Sequence, residues 1–310
     1  MTRIDSFHQP VLADEAIDLL NVRPDGVYID ATAGGGGYTH RIISRLSSPG
    51  KVFAIDRDDD AVAITSERLK QYGPLLEVIH GAFGELRTLA QAHGMAGVNG
   101  IVFDLGVSGH QLDDAARGFS YREDGPLDFR MDRRTHPSAS EIVNQYSEKQ
   151  LADLLFELGE EKNSRKIASA IVKSREAKPV KTTDQLARLI TSVTNPRFVN
   201  KTLSRCFQAI RIEVNAELRQ LQEGLRAGFD LLAPEGRMVV VSYHSLEDRI
   251  VKRFMKAAAR GKFDEDAERI DGNYTPFAQL ITKKPIEASD EEIKENPRAR
   301  SAKLRVLEKI

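Results

Sequence analysis

Three aspartates in the first part of the chain could hold a positively charged ligand. Asp30, Asp56 and Asp104 each end a short apolar run, and the stretch DATAGGGGYTH, residues 30–40, contains four consecutive glycines. Glycines there allow a tight turn before a helix, where a ligand can approach the backbone closely. Carboxylates repel a pyrophosphate but attract a ligand that carries an ammonium, a sulfonium and a ribose diol. S-adenosylmethionine is such a ligand.

Two phosphate-binding motifs fit the glycine stretch poorly. A P-loop would close with Gly-Lys-Ser/Thr, which this stretch lacks. The dinucleotide fingerprint fits only in part, because Gly34 and Gly36 form G-x-G but Thr39 stands where the third glycine would be. A structural alternative stays open, in which Asp30 and Asp56 only cap the helices that follow them.

Short apolar runs alternate with amphipathic helical patterns, which predicts an α/β fold whose parallel sheet is covered on both faces. The carboxyl ends of such strands line the ligand crevice. We therefore expect Asp56 to accept hydrogen bonds from the ribose hydroxyls, Asp30 and the glycine turn to hold the amino-acid end, and Asp104 to lie near the transferable methyl group. The runs that predict strands are residues 27–33, 51–58, 75–81, 99–106, 236–244, 277–286 and 301–309.

Residues 111–205 interrupt this alternation. The segment is charged and mostly helical in period, has no comparable strand, and is too long to be a plain loop. We therefore predict an inserted helical domain at residues 111–205 and one α/β domain made of residues 1–110 and 206–310. A single long helix is expected from Phe207 to Leu232.

The amino-acid composition limits the kinds of partner, cross-link and metal site that this chain is expected to have. The 45 Lys and Arg against 46 Asp and Glu give a net charge of -1, so a surface that binds a polyanion must be local. One cysteine, Cys206, excludes an internal disulfide framework. The seven histidines show no ligand spacing, so no metal is expected. Neither a signal core nor a membrane-spanning run is predicted, and the default location is cytoplasmic.

The stretch DLGVSGHQLDDAARGFSYREDGPLDFRMD, residues 104–132, resembles the signature of the ribosomal RNA cytosine-N4 methyltransferases, the family known as RsmH or MraW. Other segments agree with this family in order along the chain, so the resemblance spans nearly the whole length. These segments are HQPVLADEA, RPDGVYIDATAGGGGYT, AIDRD, FQAIRIEVNAEL, LAPEGRMVVVSYHSLEDRIVKRF and ENPRARSAKLR.

The resemblance implies a Rossmann-like S-adenosylmethionine-dependent methyltransferase sheet with an inserted all-helical domain that helps to recognise the substrate. It also implies methylation of the exocyclic N4 amine of one cytidine in the decoding region of 16S (small-subunit) ribosomal RNA, within the small ribosomal subunit. Charge and turn geometry add Asp30 and Gly34 to the cofactor residues that match the family. Those carried over are Gly36, Gly37, Tyr38, Asp56, Phe83, Asp104 and Gln111.

Catalysis of this reaction needs a hydrogen-bond acceptor for the amine. Cytosine N4 is a weak nucleophile because its lone pair is delocalised into the ring, so the enzyme must orient it and accept hydrogen bonds from its protons. Asp104 is the best candidate acceptor, at a strand end beside the cofactor. Ser108 and His244 are weaker candidates, and His244 could equally cap the helix that begins at Ser245.

Binding of RNA to this chain requires local basic surface. Residues 160–181 hold seven Lys and Arg against three Glu, and residues 294–309 hold six against two, so each segment has a net charge of +4. Two alternatives stay open: a methyltransferase that acts on DNA or another substrate, and a non-catalytic RNA-binding assembly factor on the same fold. The candidate RNA contacts are Lys201, Arg205, Arg211, Arg298 and Arg300.

Overall fold

The computed structural model describes residues 10–263 and 275–310. The chain divides into two compact units, one that ends at Gly106 and resumes at Leu218, and one that covers Val107–Glu217. The boundary expected after residue 205 lies inside the helix Val199–Asn215. That whole helix belongs to the second unit because its apolar residues, including Phe207 and Ile210, pack in the core of that unit.

The first unit contains a seven-stranded sheet. Its order is β3-β2-β1-β4-β5-β7-β6. The first five strands in this order are parallel to one another, and β7 is antiparallel to both β5 and β6. The strands are β1 Val27–Asp30, β2 Lys51–Asp56, β3 Leu76–His80, β4 Val98–Asp104, β5 Leu232–Ser242, β6 Ala278–Leu280 and β7 Lys303–Lys309.

The strand order confirms the predicted Rossmann-like α/β fold, and every predicted strand is present. The order reverses between β1 and β4, which makes the carboxyl ends of these two strands the place where an open α/β sheet binds its ligands. The run at residues 277–286 was predicted too long, since β6 covers only three residues at the edge of the sheet.

Helices connect the strands and form the second unit. Short 3₁₀ helices lie at Lys70–Leu75, Phe83–Glu85, Ala115–Arg117, Pro196–Phe198 and Pro297–Ser301. Within the described residues the α-helices are α1 Ala13–Leu20, α2 Gly37–Ile43, α3 Asp59–Leu69, α4 Leu86–His93, α5 Gly109–Asp113, α6 Ala139–Gln145, α7 Glu148–Glu157, α8 Ser164–Ala177, α9 Thr183–Ser192, α10 Val199–Asn215, α11 Glu217–Leu231, α12 Ser245–Ala259 and α13 Asp290–Glu295.

Apolar clusters cover both faces of the sheet, as the near-continuous apolar strands predict. One cluster joins β4 and β5 to α4, α11 and α12, through residues such as Leu86, Leu225 and Met255. The other joins the opposite face to α1 and α2, through residues such as Ile17 and Ile42. Both faces of the parallel strands are therefore buried, and only their ends are open to a ligand.

The second unit has its own core, built from helices α6–α10. Phe119 and Phe129 are buried in this core, and their rings stack with centroids 6.1 Å apart. Its only strand-like feature in residues 107–217 is an isolated bridge between Pro126 and Thr182. No helix in the described part of the chain is long and apolar enough to cross a bilayer.

The prediction of one long helix from Phe207 to Leu232 is wrong, because the chain forms two helices there, α10 and α11, which meet at Ala216. Ala216 has φ +49°, a left-handed conformation that ends α10. The preceding Asn215 is buried, and its side chain accepts from the backbone N–H of Met131 at 2.9 Å and donates to the carbonyl of Phe129 at 2.8 Å. These contacts hold the end of α10 in the second unit.

Candidate ligand site at the carboxyl ends of the parallel strands

The glycine turn joins β1 to α2. Gly34 and Gly36 have φ of +52° and +77°, in the left-handed region that favours glycine. A Cβ atom at Gly36 would also lie 3.1 Å from Cδ1 of Leu69 and 3.2 Å from Oγ1 of Thr65. The turn therefore needs glycine at both positions for its backbone conformation, and at Gly36 also for its close packing on α3.

Two side chains of α3 hold the turn in place. The hydroxyl of Thr65 donates to the carbonyl of Gly34 at 2.9 Å, and Nη1 of Arg68 donates to the carbonyl of Gly35 at 2.6 Å. Sequence reasoning missed both residues. The two residues are three positions apart and so lie on one face of α3, but nothing else in the local sequence indicates this role. The turn that they contact lies more than 30 residues earlier in the chain.

Asp30 is fully buried beneath the turn. Its Oδ2 accepts from the hydroxyl of Thr39 at 2.6 Å, and its Oδ1 accepts from the backbone N–H of Thr32 at 3.2 Å. Burial raises the pKa of Asp30 to about 6 against the opposing effect of these hydrogen bonds. Thr39 stands where the dinucleotide fingerprint has its third glycine, and its side chain binds Asp30 instead. Asp30 positions the turn and does not present a free oxygen to a ligand.

Asp56 links the end of β2 to the same turn. Its Oδ2 accepts from the backbone N–H of Gly34 at 2.7 Å and its Oδ1 from that of Asp58 at 2.9 Å. Burial raises the pKa of this carboxyl. The N-cap residues are Gly36 for α2 and Asp58 for α3. The alternative that Asp30 and Asp56 only cap the following helices is therefore wrong.

Asp104 ends β4 and is tied to both neighbouring strands. Its backbone N–H donates to the hydroxyl of Thr32 at 2.7 Å, and its Oδ1 accepts from the hydroxyl of Tyr243 at 2.7 Å. Burial raises the pKa of Asp104 to about 7, and the charges of Asp30 and Glu247 add to this, while the Tyr243 hydrogen bond opposes it. Within the described residues, Oδ2 of Asp104 accepts no hydrogen bond.

Tyr243 is a residue that sequence reasoning missed, although it immediately precedes His244. Its position depends on His244, which is the N-cap residue of α12 and accepts through Nδ1 from the backbone N–H of Glu247 at 3.4 Å. Oε2 of Glu247 in turn accepts from the backbone N–H of Tyr243 at 2.8 Å. The cap role considered for His244 is thus present, and its direct part in catalysis stays a prediction.

The three aspartates at the ends of β1, β2 and β4 have no cationic side chain bonded to them within the described residues. Asp30, Asp56 and Asp104 all have raised pKa values, and none of them forms an ion pair with any residue in 10–263 or 275–310. A cationic ligand in this crevice would offset the mutual repulsion of the three carboxylates. Asp56 and Asp104 are partly exposed residues, and their carboxylate oxygens can also accept hydrogen bonds from hydroxyl or amino groups.

The family model of the MraW methylase family matches residues 5–310, which is nearly the whole chain. The chain belongs to the MraW methylase family. A curated relative from Acidiphilium cryptum, named "Ribosomal RNA small subunit methyltransferase H", is 47% identical over 98% of this chain and 97% of its own length. A relative of the same name from Chloroherpeton thalassium is 44% identical over 99% of each chain.

The similar solved structures include one titled a putative rRNA-methylase, from Clostridium thermocellum. It covers 98% of this chain and 99% of its own, with a TM-score of 0.46 and 13% sequence identity. Membership of the MraW methylase family rests on the family model and the curated relatives.

Two further cofactor residues predicted in this MraW-family chain are aromatic. Tyr38 lies in α2 and is 3% exposed, and its hydroxyl donates to the carbonyl of Val11. Its polar tip is therefore used inside the first unit. Phe83 is partly buried, and its ring packs edge to face on Phe103 with centroids 5.9 Å apart. Gly37 is the first residue of α2, and a Cβ atom there would lie 3.0 Å from Pro10.

Ser108 and Gln111 lie in the second unit, at the start of α5. They form a reciprocal cap, in which the Ser108 hydroxyl accepts from the backbone N–H of Gln111 at 3.2 Å and Oε1 of Gln111 accepts from that of Ser108 at 3.0 Å. The catalytic role expected of Ser108 and the cofactor contact expected of Gln111 stay predictions.

The five basic side chains predicted to contact RNA differ in exposure and in whether they are already paired with an acidic residue. Arg211 is bound to Glu217 by two hydrogen bonds of 2.8 and 2.9 Å in a largely buried pair, so its guanidinium is already used. Arg205 lies 3.7 Å from Glu161. Lys201 on α10 and Arg300 in the 3₁₀ helix Pro297–Ser301 are exposed, while Arg298 in that helix is partly buried.

Proposed function

We propose that this protein transfers a methyl group from S-adenosylmethionine to the N4 amine of a cytidine in the decoding region of 16S ribosomal RNA. Membership of a methylase family supports the reaction class, and the names of the curated relatives support small-subunit ribosomal RNA as the substrate. The N4 atom and the decoding region come from the resemblance carried by residues 104–132. We place the reaction in the cytoplasm, on the small ribosomal subunit or its RNA.

The observation that carries the proposal is the presence of three carboxyl groups at the ends of β1, β2 and β4, with no ion-pair partner in residues 10–263 or 275–310. Burial raises the pKa of each of them. S-adenosylmethionine, when bound, supplies a methyl group on a sulfonium cation that becomes a neutral thioether. Asp56 accepts hydrogen bonds from the ribose hydroxyls, and the backbone of the glycine turn binds the amino-acid end. Asp30 acts through the turn, because it is buried and its oxygens are bonded to Thr32 and Thr39.

Asp104 and Tyr243 orient the substrate amine. The hydroxyl of Tyr243 holds Oδ1 of Asp104, which leaves Oδ2 to accept a hydrogen bond from cytosine N4. This hydrogen bond fixes the direction of the N4 lone pair, and Oδ2 accepts the proton that N4 loses as its bond to the methyl group forms. Positive charge in the crevice favours the carboxylate form of Asp104, which is the form that can accept.

Labelled S-adenosylmethionine tests this proposal directly. Unmodified small subunits, protein-free small-subunit RNA and duplex DNA are each incubated with the protein, and the modified nucleoside is identified by mass. We expect N4-methylcytidine at one site of the ribosomal RNA, and Asp104→Asn as a control should give none. Transfer to DNA alone would indicate the other substrate class, and cofactor-independent RNA binding without transfer would indicate a non-catalytic assembly factor.

A further inference from the structure

From Arg249 onward, the exposed residues of α12 are all basic. The residues of this helix between positions 249 and 260 that are exposed share a positive charge, and no exposed acidic or apolar residue lies among them. They are Arg249, Lys252, Arg253, Lys256 and Arg260, and we call them the α12 stripe. With Lys262, residues 249–262 hold six cations and no acidic residue. This density exceeds that of the two basic segments noted from the sequence.

Packing of α12 on the sheet determines the direction of the stripe. Val251, Met255 and Ala258 are buried against the apolar cluster formed with β5 and β6. The cations occupy the opposite side of the helix, because their spacing of three, four and seven residues keeps them on one face. At 1.5 Å per residue the row from Arg249 to Arg260 extends about 16 Å.

Within the described residues, four of the five cations of the stripe lack the ion pairs that accompany cations on other helices. Lys149, Arg188 and Arg226 each bond an aspartate one turn away, at 2.6, 2.8 and 3.3 Å. By contrast, the four cations of the stripe that follow Arg249 have no ion-pair partner in the described part of the chain; they are Lys252, Arg253, Lys256 and Arg260. Like charges one turn apart on a helix destabilise it, and a bound polyanion would offset that repulsion.

The stripe begins close to the candidate catalytic residues. Helix α12 starts at Ser245, two residues after Tyr243, and the hydroxyl of Tyr243 contacts Asp104 at 2.7 Å. The first cation of the stripe, Arg249, is one helical turn further along. A strand of phosphates that follows the helix would therefore lead toward Asp104 within the first unit itself.

We propose that the α12 stripe binds the phosphodiester backbone of the RNA whose cytidine is methylated. This inference rests on the proposed function and assigns it RNA-binding cations of the first unit, in addition to Lys201 and Arg205 on α10 of the second unit. A row of cations without exposed apolar residues suits evenly spaced phosphates. A helix that lies on a membrane would instead show apolar anchors beside its cations.

The test is a quadruple variant, Lys252→Gln, Arg253→Gln, Lys256→Gln and Arg260→Gln, which keeps side chains of good helix propensity. The control is Arg23→Gln, Arg45→Gln, Lys70→Gln and Arg87→Gln, which removes the same total charge from exposed, ion-paired cations of the first unit. Dissociation constants for small-subunit RNA are measured at several KCl concentrations, together with KM and kcat for methyl transfer. Calorimetry with S-adenosylmethionine and a melting temperature show that each variant is folded.

We expect the stripe variant to bind RNA on the order of 10- to 100-fold more weakly. In a plot of log affinity against log salt concentration, its slope should be shallower by about 3, since each of the four lost phosphate contacts with a single strand contributes about 0.7. KM for RNA should rise while kcat and cofactor affinity stay unchanged. Equal effects in the control, or an unchanged salt slope, would overturn the stripe proposal. If the wild-type protein methylates no ribosomal RNA, the proposed function itself fails, whatever the variants do.

Discussion

The hydroxyl of Tyr243 donates a hydrogen bond of 2.7 Å to Oδ1 of Asp104. Asp104 ends β4, and Tyr243 directly follows the adjacent parallel strand β5. This bond fixes one carboxylate oxygen and leaves the other for a substrate. It also stabilises the charged form of a carboxyl group that burial would otherwise protonate near neutral pH. Tyr243 is thus a positioning residue for the proposed acceptor.

Replacement of Tyr243 by Phe should lower kcat for methyl transfer about tenfold or more, because a hydrogen bond to a charged group contributes about 1.5–3 kcal/mol. The loss of that bond raises the pKa of Asp104 further above about 7. The rising limb of the pH–rate profile should therefore move to higher pH. An unchanged profile in Y243F, with the affinity for S-adenosylmethionine also unchanged, would remove this role for Tyr243.

Replacement of Asp104 by Asn should abolish methyl transfer and stabilise the ligand-free protein at pH 8. The native pKa of about 7 lies above the ordinary value, so the native state holds more protons than the unfolded state between about pH 4 and 7. Stability from this group is therefore present at low pH and falls as pH rises. We expect Tm to increase by about 2–4 °C at pH 8, which corresponds to about 1 kcal/mol, and to stay unchanged at pH 4.

Asp128 offers a matched control for this measurement. The guanidinium of Arg130 bonds both oxygens of Asp128, at 2.8 and 2.7 Å, and holds the pKa of that carboxyl below its usual value in spite of burial. Its charge therefore stabilises the fold at neutral pH, and D128N should lower Tm at pH 8. If D104N also lowers Tm at pH 8, the proposed excess of negative charge at the crevice is wrong.

Affinity for S-adenosylmethionine should increase between pH 5.5 and pH 8. Asp30 and Asp104, whose pKa values lie at about 6 and about 7, lose their protons over this range and attract the cation more strongly. S-adenosylhomocysteine has no sulfonium, so its affinity should change less. Isothermal titration calorimetry across this pH range, with both ligands, measures the difference. Parallel pH dependence for the two ligands would contradict an interaction with the sulfonium.

Replacement of Asp56 by Ala should raise the dissociation constant for S-adenosylmethionine about tenfold or more, because one acceptor for the ribose diol is worth about 1.5–3 kcal/mol. Asp58→Ala is the control, since Asp58 is the N-cap residue of α3 and accepts from the backbone N–H of Asp60 at 3.1 Å. D58A should cost about 1 kcal/mol of stability with little effect on affinity. Equal loss of affinity in the two variants would assign Asp56 a purely structural role.

The sheet was predictable because its strands are buried on both faces. Strands such as Val52–Ile55 are nearly continuous apolar runs, which a local pattern reveals without knowledge of their neighbours. The carboxylates at their ends followed from the same pattern, since parallel strands bring Asp30, Asp56 and Asp104 to one rim. The glycine turn was also readable, because left-handed backbone at Gly34 and Gly36 requires a residue without a side chain.

Contacts between distant parts of the chain were not predictable. Tyr243 and Asp104 are 139 residues apart, and Arg68 reaches the carbonyl of Gly35 across 33 residues. The break between α10 and α11 at Ala216 was not predictable for the same reason. Hydrogen bonds of the Asn215 side chain with Phe129 and Met131 stabilise it, and no helix-breaking residue occurs there in the sequence.

The sequence by itself determined the α/β fold, the strand ends and the acidic character of the crevice, since these depend on local apolar patterns and on residue type. Only the tertiary structure decided which side chains are free to act. It buried the hydroxyl of Tyr38 against Val11, paired Arg211 with Glu217, and turned the cations of α12 outward. Burial and pairing depend on neighbours that folding brings together, and a linear pattern does not contain them.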